Sequence, residues 1–263
     1  MNMQTYVSYL GNPNKISSLI DQNSELVSEN KAKDKILANI SHEIRNPISI
    51  IIGAINLLRD NFQSIKLDQE SQEYLDVIEE SSQETLNFTQ DLLEISQLNS
   101  GEFNVDLSKK IDLEPLLKRV IKTSKYLYLQ SNININHKID SCLPQAMLDP
   151  RRMKQILVNL ISNSIKYSSD TVIINIAAKH LKLENKILIS ISDNGLGMSE
   201  DEVKKAMQEF QTIHNDNSHK VDSFGLGLPL VKYLVESQNG TMQIKSSKGV
   251  GTTTNLYFNL NTN

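Results

Sequence analysis

Ser41-His42-Glu43-Ile44-Arg45-Asn46-Pro47 is a short polar run set inside a long helical pattern. The apolar positions around it are Ile16, Leu19, Leu26, Leu37, Ile40, Ile44, Ile51, Ala54 and Leu58, and they share one heptad register. Asn23, Asn30, Lys33 and Pro47 fill the gaps in that seam. With Leu37 at a and Ile40 at d, His42 falls at f, facing water rather than the seam. A solvent-facing imidazole on a rigid helix can attack a group that arrives from outside, because a useful fraction is neutral near physiological pH.

A lone exposed histidine on a helix is most often ordinary surface. Its neighbours here raise the reading above that. Asn46 lies at i+4 on the same helix face, and Glu43 sits about 100° round the helix, where its side chain can flank the ring. A carboxylate beside imidazole can accept the Nδ1 proton and raise the nucleophilicity of Nε2. Arg45 adds a fixed charge, and Pro47 removes a backbone donor, predicting a kink or loosening just past the histidine.

The chain has 263 residues, room for about two domains. A formal net charge of −4 argues against bulk nucleic-acid binding, and with no Trp and few aromatics a base-stacking surface is not expected. Cys142 is the single cysteine, so no intramolecular disulfide forms and a reducing compartment fits. No stretch approaches the roughly 18 uninterrupted apolar residues of a membrane span, and the N-terminus lacks a basic-then-apolar leader pattern. The expected location is cytoplasmic, either as a soluble protein or as the cytoplasmic portion of a membrane receptor.

Residues 1–15 form a short tip with a Gly-Asn-Pro-Asn turn at 11–14. Residues 16–36 read as a coiled-coil signalling helix. Asn23 and Asn30 at a positions fix register and strand number in a parallel dimer; a weak helix with polar breaks is the alternative. The helix continues through His42 to about residue 60, and a second one spans about 68–99, with Gly101 as its stop. Residues 37–101 thus form an all-α hairpin, and two copies give a four-helix bundle that buries both apolar stripes. Residues 67–108 carry eleven Asp or Glu and no Lys or Arg, a solvated face that could also complement a docking partner.

Residues 102–263 switch to α plus β. Strands are predicted at 103–107, 133–139, 171–178, 186–192, 241–246 and 252–260. Helices are predicted at 113–129, at 150–167 with Asp149 as N-cap and Pro150 first, at 200–207 and at 226–238. That order predicts an α/β two-layer sandwich with the helices on one face of a mostly antiparallel sheet.

Four pieces of this second part carry chemistry. Asn159 and Asn163 share a helix face one turn apart, followed by Lys166 and Tyr167. They offer amide groups to a cation or phosphate, a positive charge and a ring. Taken alone, this is ordinary polar surface. Asp193-Asn194-Gly195-Leu196-Gly197-Met198 places an acid at a strand end before a glycine turn, suited to an exocyclic amine and a closely approaching planar base. Ser223-Phe224-Gly225-Leu226-Gly227-Leu228 opens a helix, where free N–H groups can face phosphate; no Gly-Lys-Ser/Thr follows, so it is not a P-loop. Between them, the polar stretch 208–222 reads as a mobile lid. Its His214, Asp216, His219 and Asp222 match no zinc spacing.

The run at 41–47 resembles the H-box of sensor histidine kinases of the HisKA type. The four later pieces, in their order, resemble the N, G1, F and G2 boxes of the Bergerat, or GHKL, ATP-binding fold shared by histidine kinases, a heat-shock chaperone family, DNA gyrase and a mismatch-repair protein. The resemblance covers about residues 31–260. It implies that His42 accepts the γ-phosphoryl group of ATP, with Glu43 as general base, and that Asn46 positions water or phosphate in the reverse reaction. Asn163 would coordinate Mg2+, with Asn159 near the phosphates and Lys166 and Tyr167 on the nucleotide. Asp193 would read the adenine amine, Gly195 and Gly197 would line the base pocket, and Gly225, Leu226 and Gly227 would form the phosphate turn.

Three positions depart from the family pattern: Ser223 for a glycine, Phe210 alone marking the F-box, and Ser164 for the usual alanine after Asn163. The resemblance also implies a homodimer that passes the phosphoryl group to an Asp of a separate response regulator, since no receiver domain fits in this chain. Two alternatives remain: an ATP-gated adaptor biased to phosphatase activity, and an ATPase machine of the chaperone or topoisomerase class.

Overall fold

The structure, a computed structural model, describes residues 41, 44–58, 68–127, 133–168, 171–213 and 225–260. The expected coiled coil, His42, Glu43, Ser223 and most of the expected lid lie outside the described residues. The chain divides into two compact units, Met1–Phe103 and Asn104–Asn263. Among the described residues no helix is long and apolar enough to cross a membrane.

The first unit is helical. Helix α1 is described over 44–58, and α2 runs Gln69–Ser100. The Asp68 carboxylate caps α2 by accepting the Ser71 N–H at 2.8 Å. Gly101 ends it at φ 75°, with its N–H on Leu98 O and the Glu102 N–H on Gln97 O, a Schellman stop that needs a left-handed residue. Arg45 Nη2 donates to Gln90 Oε1 at 2.5 Å, joining the two helices side by side.

Within the chain, α1 buries the edge next to the heptad seam. Ser41, Ile48 and Ile55, at successive e positions, are buried against the rest of the unit, as are Leu92 and Ile95 of α2. Ile51 and Leu58, at a, and Ile50 and Leu57, at g, stay exposed, as do Tyr74, Val77 and Ile78 of α2. The apolar stripe is therefore broader than one seam. One edge serves the intrachain contact and the other is unspent.

The second unit holds helices α3 (Leu113–Leu127), α4 (Pro150–Lys166), α5 (Glu200–Ala206) and α6 (Gly227–Glu236). Strands β1 (Lys110–Ile111) and β3 (Ala146–Met147) pair as a small ribbon. Strands β2 (Ile133–Ile139), β4 (Val172–Leu181), β5 (Lys186–Asp193), β6 (Gly240–Ser247) and β7 (Gly251–Asn259) form one sheet in the order β2-β4-β5-β7-β6. Only its β2–β4 pairing is parallel. Alternate residues Val172, Ile174, Ile176 and Ala178 of β4 and Ile187, Ile189 and Ile191 of β5 point into the core. Opposite them pack Met153, Ile156, Leu157, Leu160 and Ile161 of α4 and Leu230, Val231, Leu234 and Val235 of α6, at three-four spacing. This is the two-layer sandwich, helices on one face.

Residues 103–107 form no strand, contrary to expectation. The Asp106 carboxylate turns back to accept the Ser108 N–H and hydroxyl, and the Asp106 N–H goes to Asp149 Oδ2, which leaves no ladder partner. Strand β3 has too short a pattern to read in sequence. β4 runs three residues past its expected end because Lys179, His180 and Leu181 still pair with β5.

Asp149 fixes where α4 begins. Its side chain is fully buried and accepts the N–H groups of Arg151 and Asp106 at 2.8 and 3.1 Å, with Arg151 Nη2 at 3.3 Å. Its own N–H donates to Gln238 Oε1, just past α6. Burial pushes this carboxyl up, but the hydrogen bonds outweigh it and hold it below the usual carboxylate range. Asp149→Ala, which orphans these buried donors, is expected to destabilise the α/β unit by about 2–4 kcal/mol in urea unfolding; a loss under about 0.5 kcal/mol would contradict the assignment.

In α2, burial pushes the Asp91 carboxyl up to about 7, helped by the neighbouring charge of Glu94. A raised folded value favours the protonated form, so this contribution to stability is complete below about pH 4 and is lost as pH rises through about 7. Asp91→Asn, which cannot ionise, should therefore melt above wild type at about pH 8, with the gap closing towards about pH 4. A gap equal at both pH values in thermal melts would contradict this.

Candidate functional site

The C-terminal turn of α4, the turn after β5, the N-terminus of α6 and the start of β7 converge on one region. Asp193, the last residue of β5, is its centre. Asp193 Oδ1 accepts the Gly195 N–H at 2.9 Å and the Thr252 N–H at 3.0 Å, and Oδ2 accepts the Ser164 hydroxyl at 3.1 Å. An acid is thus fixed by donors from α4, its own turn and β7, with charge-assisted geometry. Asn194 pins the same turn from the other side. Its side chain accepts the Ile173 N–H and donates to Thr171 O.

The glycines of this turn are needed for close approach. A Cβ on Gly195 would lie 2.6 Å from Tyr167 O, the carbonyl that accepts the Leu196 N–H. Gly197 has φ +64°, and its Cβ would lie against Ser247 O. Gly251, at φ +123°, comes equally close to Asp193 O. Both the backbone angle and the space therefore exclude side chains at Gly197 and Gly251.

Asn159 and Asn163 project from α4 towards the start of α6. A Cβ on Gly227 would sit 3.5 Å from Asn163 Nδ2, 3.7 Å from Asn163 Oδ1 and 3.9 Å from Asn159 Oδ1. Among the described residues the N-terminus of α6 has no side-chain cap and no acid in its first turn, a setting that favours an anion. Gly225, at φ +69°, packs on the Gln211 backbone, and its carbonyl accepts the Phe210 N–H. Phe210 is itself left-handed, at φ 61°, and exposed.

Lys166 and Tyr167 close α4, both half-buried, with Tyr167 docking the Asp193 turn through its carbonyl. Leu226 is 2% exposed and packs into the core, which leaves its backbone to face a ligand. In the helical unit, Asn46 is exposed.

The first turn of α5 is secured by Ser199 and Glu202 in a reciprocal capping box. A hydrogen bond from Lys248, with help from the Ser199 N–H, holds the Glu202 carboxyl down at about 2. Burial, then the charge of Glu209, pushes the Tyr233 hydroxyl up.

Ser164, Thr252 and Gly251 were not read as site residues in the sequence. The Gly-Val-Gly-Thr run at 249–252 was legible only as a hairpin turn, and Ser164 only as a small replacement. Among the described residues no group of three or more His, Cys, Asp or Glu could hold a metal. The oxygens at hand are neutral amides beside a helix N-terminus, a donor set that suits a hard cation carried in by phosphates better than a dedicated metal cage.

A pinned acid at a strand end, an asparagine-bearing helix and an open helix N-terminus on a mixed sheet define a GHKL-type ATP-binding domain. Residues 148–262 match the family model for histidine kinase-, DNA gyrase B- and HSP90-like ATPases, and residues 32–101 match the His Kinase A phospho-acceptor domain. The chain belongs to the sensor histidine kinases. It is 30% identical over 249 residues to the circadian input-output histidine kinase CikA of Synechococcus elongatus, covering 91% of this chain and 32% of that protein. It is 29% identical to the cell-division control histidine kinase PdhS of Brucella suis, covering 91% and 24%. The chain thus spans a third or less of the length of these two relatives.

The crystal structure of full-length ShkA in complex with AMPPNP superimposes with a TM-score of 0.66 at 25% identity, covering 87% of this chain and 46% of that one. The Acinetobacter baumannii histidine kinase AdeS shares the fold, with a TM-score of 0.56 at 21% identity, covering 84% and 98%.

Gly195→Ala would force α4 away from the Asp193 turn. It is expected to weaken nucleotide binding at least about tenfold in calorimetric titration while α4 and the sheet persist by circular dichroism. Unchanged binding would contradict the close-approach reading.

Proposed function

We propose that this chain is the kinase core of a two-component system, transferring the γ-phosphoryl group of ATP to His42 and then to an Asp of a separate response regulator. The observation that carries this is that Ser164 ties Asp193 to the same helix that brings Asn159 and Asn163 beside Gly227, in a chain whose other unit matches the phospho-acceptor family. The purine amine would donate to Asp193, and the phosphates would lie on the free N–H groups at the start of α6. Lys166 would neutralise phosphate charge, and Tyr167 would pack on the nucleotide. Mg2+ would be held by Asn163 Oδ1 and the phosphates, and it would supply charge neutralisation on the transferring group.

In the transfer, His42 Nε2 forms a bond to the γ-phosphorus as the bond from that phosphorus to the β–γ bridging oxygen breaks, releasing ADP. Glu43 accepts the hydrogen bond of Nδ1–H and stabilises the cation that develops on the ring. Catalysis is otherwise positioning and electrostatics. Asn46, exposed on α1, would orient water for the reverse activity, dephosphorylation of the partner regulator.

The exposed Ile50, Ile51, Leu57 and Leu58 of α1, with Tyr74, Val77 and Ile78 of α2, support a second copy as their cover, giving a dimeric four-helix bundle. Residues 16–36 would be the coiled coil that brings a signal to it, 37–101 the dimerisation and phosphotransfer domain, and 102–263 the catalytic domain. The reading places the chain in the cytoplasm, alone or as the cytoplasmic end of a membrane receptor.

Incubation with γ-labelled Mg-ATP tests this. Acid-labile, alkali-stable label is expected on wild type, none on His42→Gln, and about 100-fold less on Asn163→Ala. Label surviving in His42→Gln would overturn the acceptor. Bound ATP with no label in wild type would favour the adaptor reading instead.

A further inference from the structure

Helix α5 has no buried residue, so packing does little to fix the chain that follows it. Its start is held by polar ties, the Ser199–Glu202 capping box and the 2.8 Å ion pair of Glu202 with Lys248. Past its end the chain turns through Glu209, Phe210 and Gln211. Phe210 takes a left-handed backbone, φ 61°, which a residue with a Cβ adopts only at a cost. Its ring is 52% exposed, so burial does little to offset that cost. What the strained angle achieves is a backbone contact. The Phe210 N–H donates to Gly225 O at 3.1 Å, and a Cβ on Gly225 would lie 2.5 Å from Gln211 O and 2.6 Å from Gln211 N. Gly225 is thus pressed onto this turn just before α6 begins.

The same turn is tied to α6 a second time. The Tyr233 hydroxyl, almost two turns into that helix, donates to Glu209 Oε1 at 3.2 Å. Both side chains are half-buried. Burial and the charge of Glu209 hold the Tyr233 hydroxyl above its usual range, so it stays protonated and donating at physiological pH. Tyr233, Glu209, Phe210, Gly225 and the first turns of α6 therefore close a ring of bonds whose two ends lie on one helix.

We propose that Tyr233 is a positioning residue for the phosphate end of the nucleotide, acting through Glu209 to fix the Gly225–Gly227 turn; this rests on the nucleotide reading above. With the ring closed, the peptide groups from Gly225 to Gly227 keep one orientation relative to α6, ready for phosphate oxygens. With the ring open, Phe210 relaxes from its left-handed angle and its N–H leaves Gly225 O. Each ligand that binds then has to order the turn again. The base is read at Asp193, whose hydrogen bonds come from Ser164, Gly195 and Thr252, so the loss falls on phosphate and spares the base.

The test is titration of the full chain with Mg-ATP and with magnesium tripolyphosphate by calorimetry, and with adenosine by ligand-observed NMR. Tyr233→Phe is expected to weaken ATP and tripolyphosphate by about fivefold each and to leave adenosine within about twofold. Glu209→Ala should do the same, and the double variant should lose no more than either single one, because one bond is lost in all three. Glu209→Gln, whose amide oxygen still accepts the bond, should bind both phosphate ligands within about twofold of wild type. A loss under about twofold for both phosphate ligands in Tyr233→Phe would overturn the proposal. So would an equal loss for adenosine, which is the mark of a structural role, additive losses in the double variant, or a loss in Glu209→Gln as large as in Glu209→Ala. Wild type that binds neither ATP nor tripolyphosphate would bring down the nucleotide reading itself, an outcome distinct from failure of Tyr233 alone.

Discussion

Asp193 is held by three elements at once. Its Oδ1 joins the Gly195 turn to Thr252 of β7, and its Oδ2 joins α4 through Ser164. An acid so placed cannot swing to solvent without orphaning backbone donors from two strands' ends. The rest of the α/β unit is arranged around that constraint. Tyr167 O seats the turn on the end of α4, Gly251 lets β7 approach Asp193 O, and Gly197 admits the Ser247 carbonyl. The same packing leaves Asn159 and Asn163 beside the open N-terminus of α6. On the proposed reading, recognition of a base and of its phosphates would be preorganised before any ligand arrives.

The helical unit poses a different physical problem. Helix α1 buries Ser41, Ile48 and Ile55 within its own chain and leaves Ile50, Ile51, Leu57 and Leu58 outside. Among the described residues, α1 thus has two apolar edges and only one of them is covered. The α2 helix shows the same imbalance: Leu92 and Ile95 are buried, while Tyr74, Val77 and Ile78 are exposed. The raised carboxyl of Asp91 makes this unit's stability sensitive to pH near neutrality, whereas in the α/β unit Asp149 is stabilised as an anion.

Much of the fold was legible in the sequence because local signals and tertiary demands agree. Asp149-Pro150 announces the start of α4, Gly101 announces the end of α2, and the alternation Ile133–Ile139 is a strand as read. The errors have identifiable causes. Residues 103–107 alternate like a strand, but Asp106 spends its hydrogen bonds on Ser108 and Asp149. The heptad seam at a stays exposed within the chain while the neighbouring e edge is buried, an intrachain face that the single-seam reading did not include. In the site, residues whose chemistry is carried by side chains could be named in advance. Thr252 and Gly251 could not, because they act through backbone brought in by β7 pairing. Ser164 was visible as a departure, but its bond to Asp193 spans 29 residues and exists only in the fold.

The most direct measurement is a crystal structure of the chain with Mg2+ and a non-hydrolysable ATP analogue. The account predicts the purine amine on Asp193 Oδ2, with the Ser164 hydroxyl still on that oxygen, the phosphates on the first N–H groups of α6, and Mg2+ between them and Asn163. A base seated away from Asp193, or phosphates remote from Gly227, would contradict it.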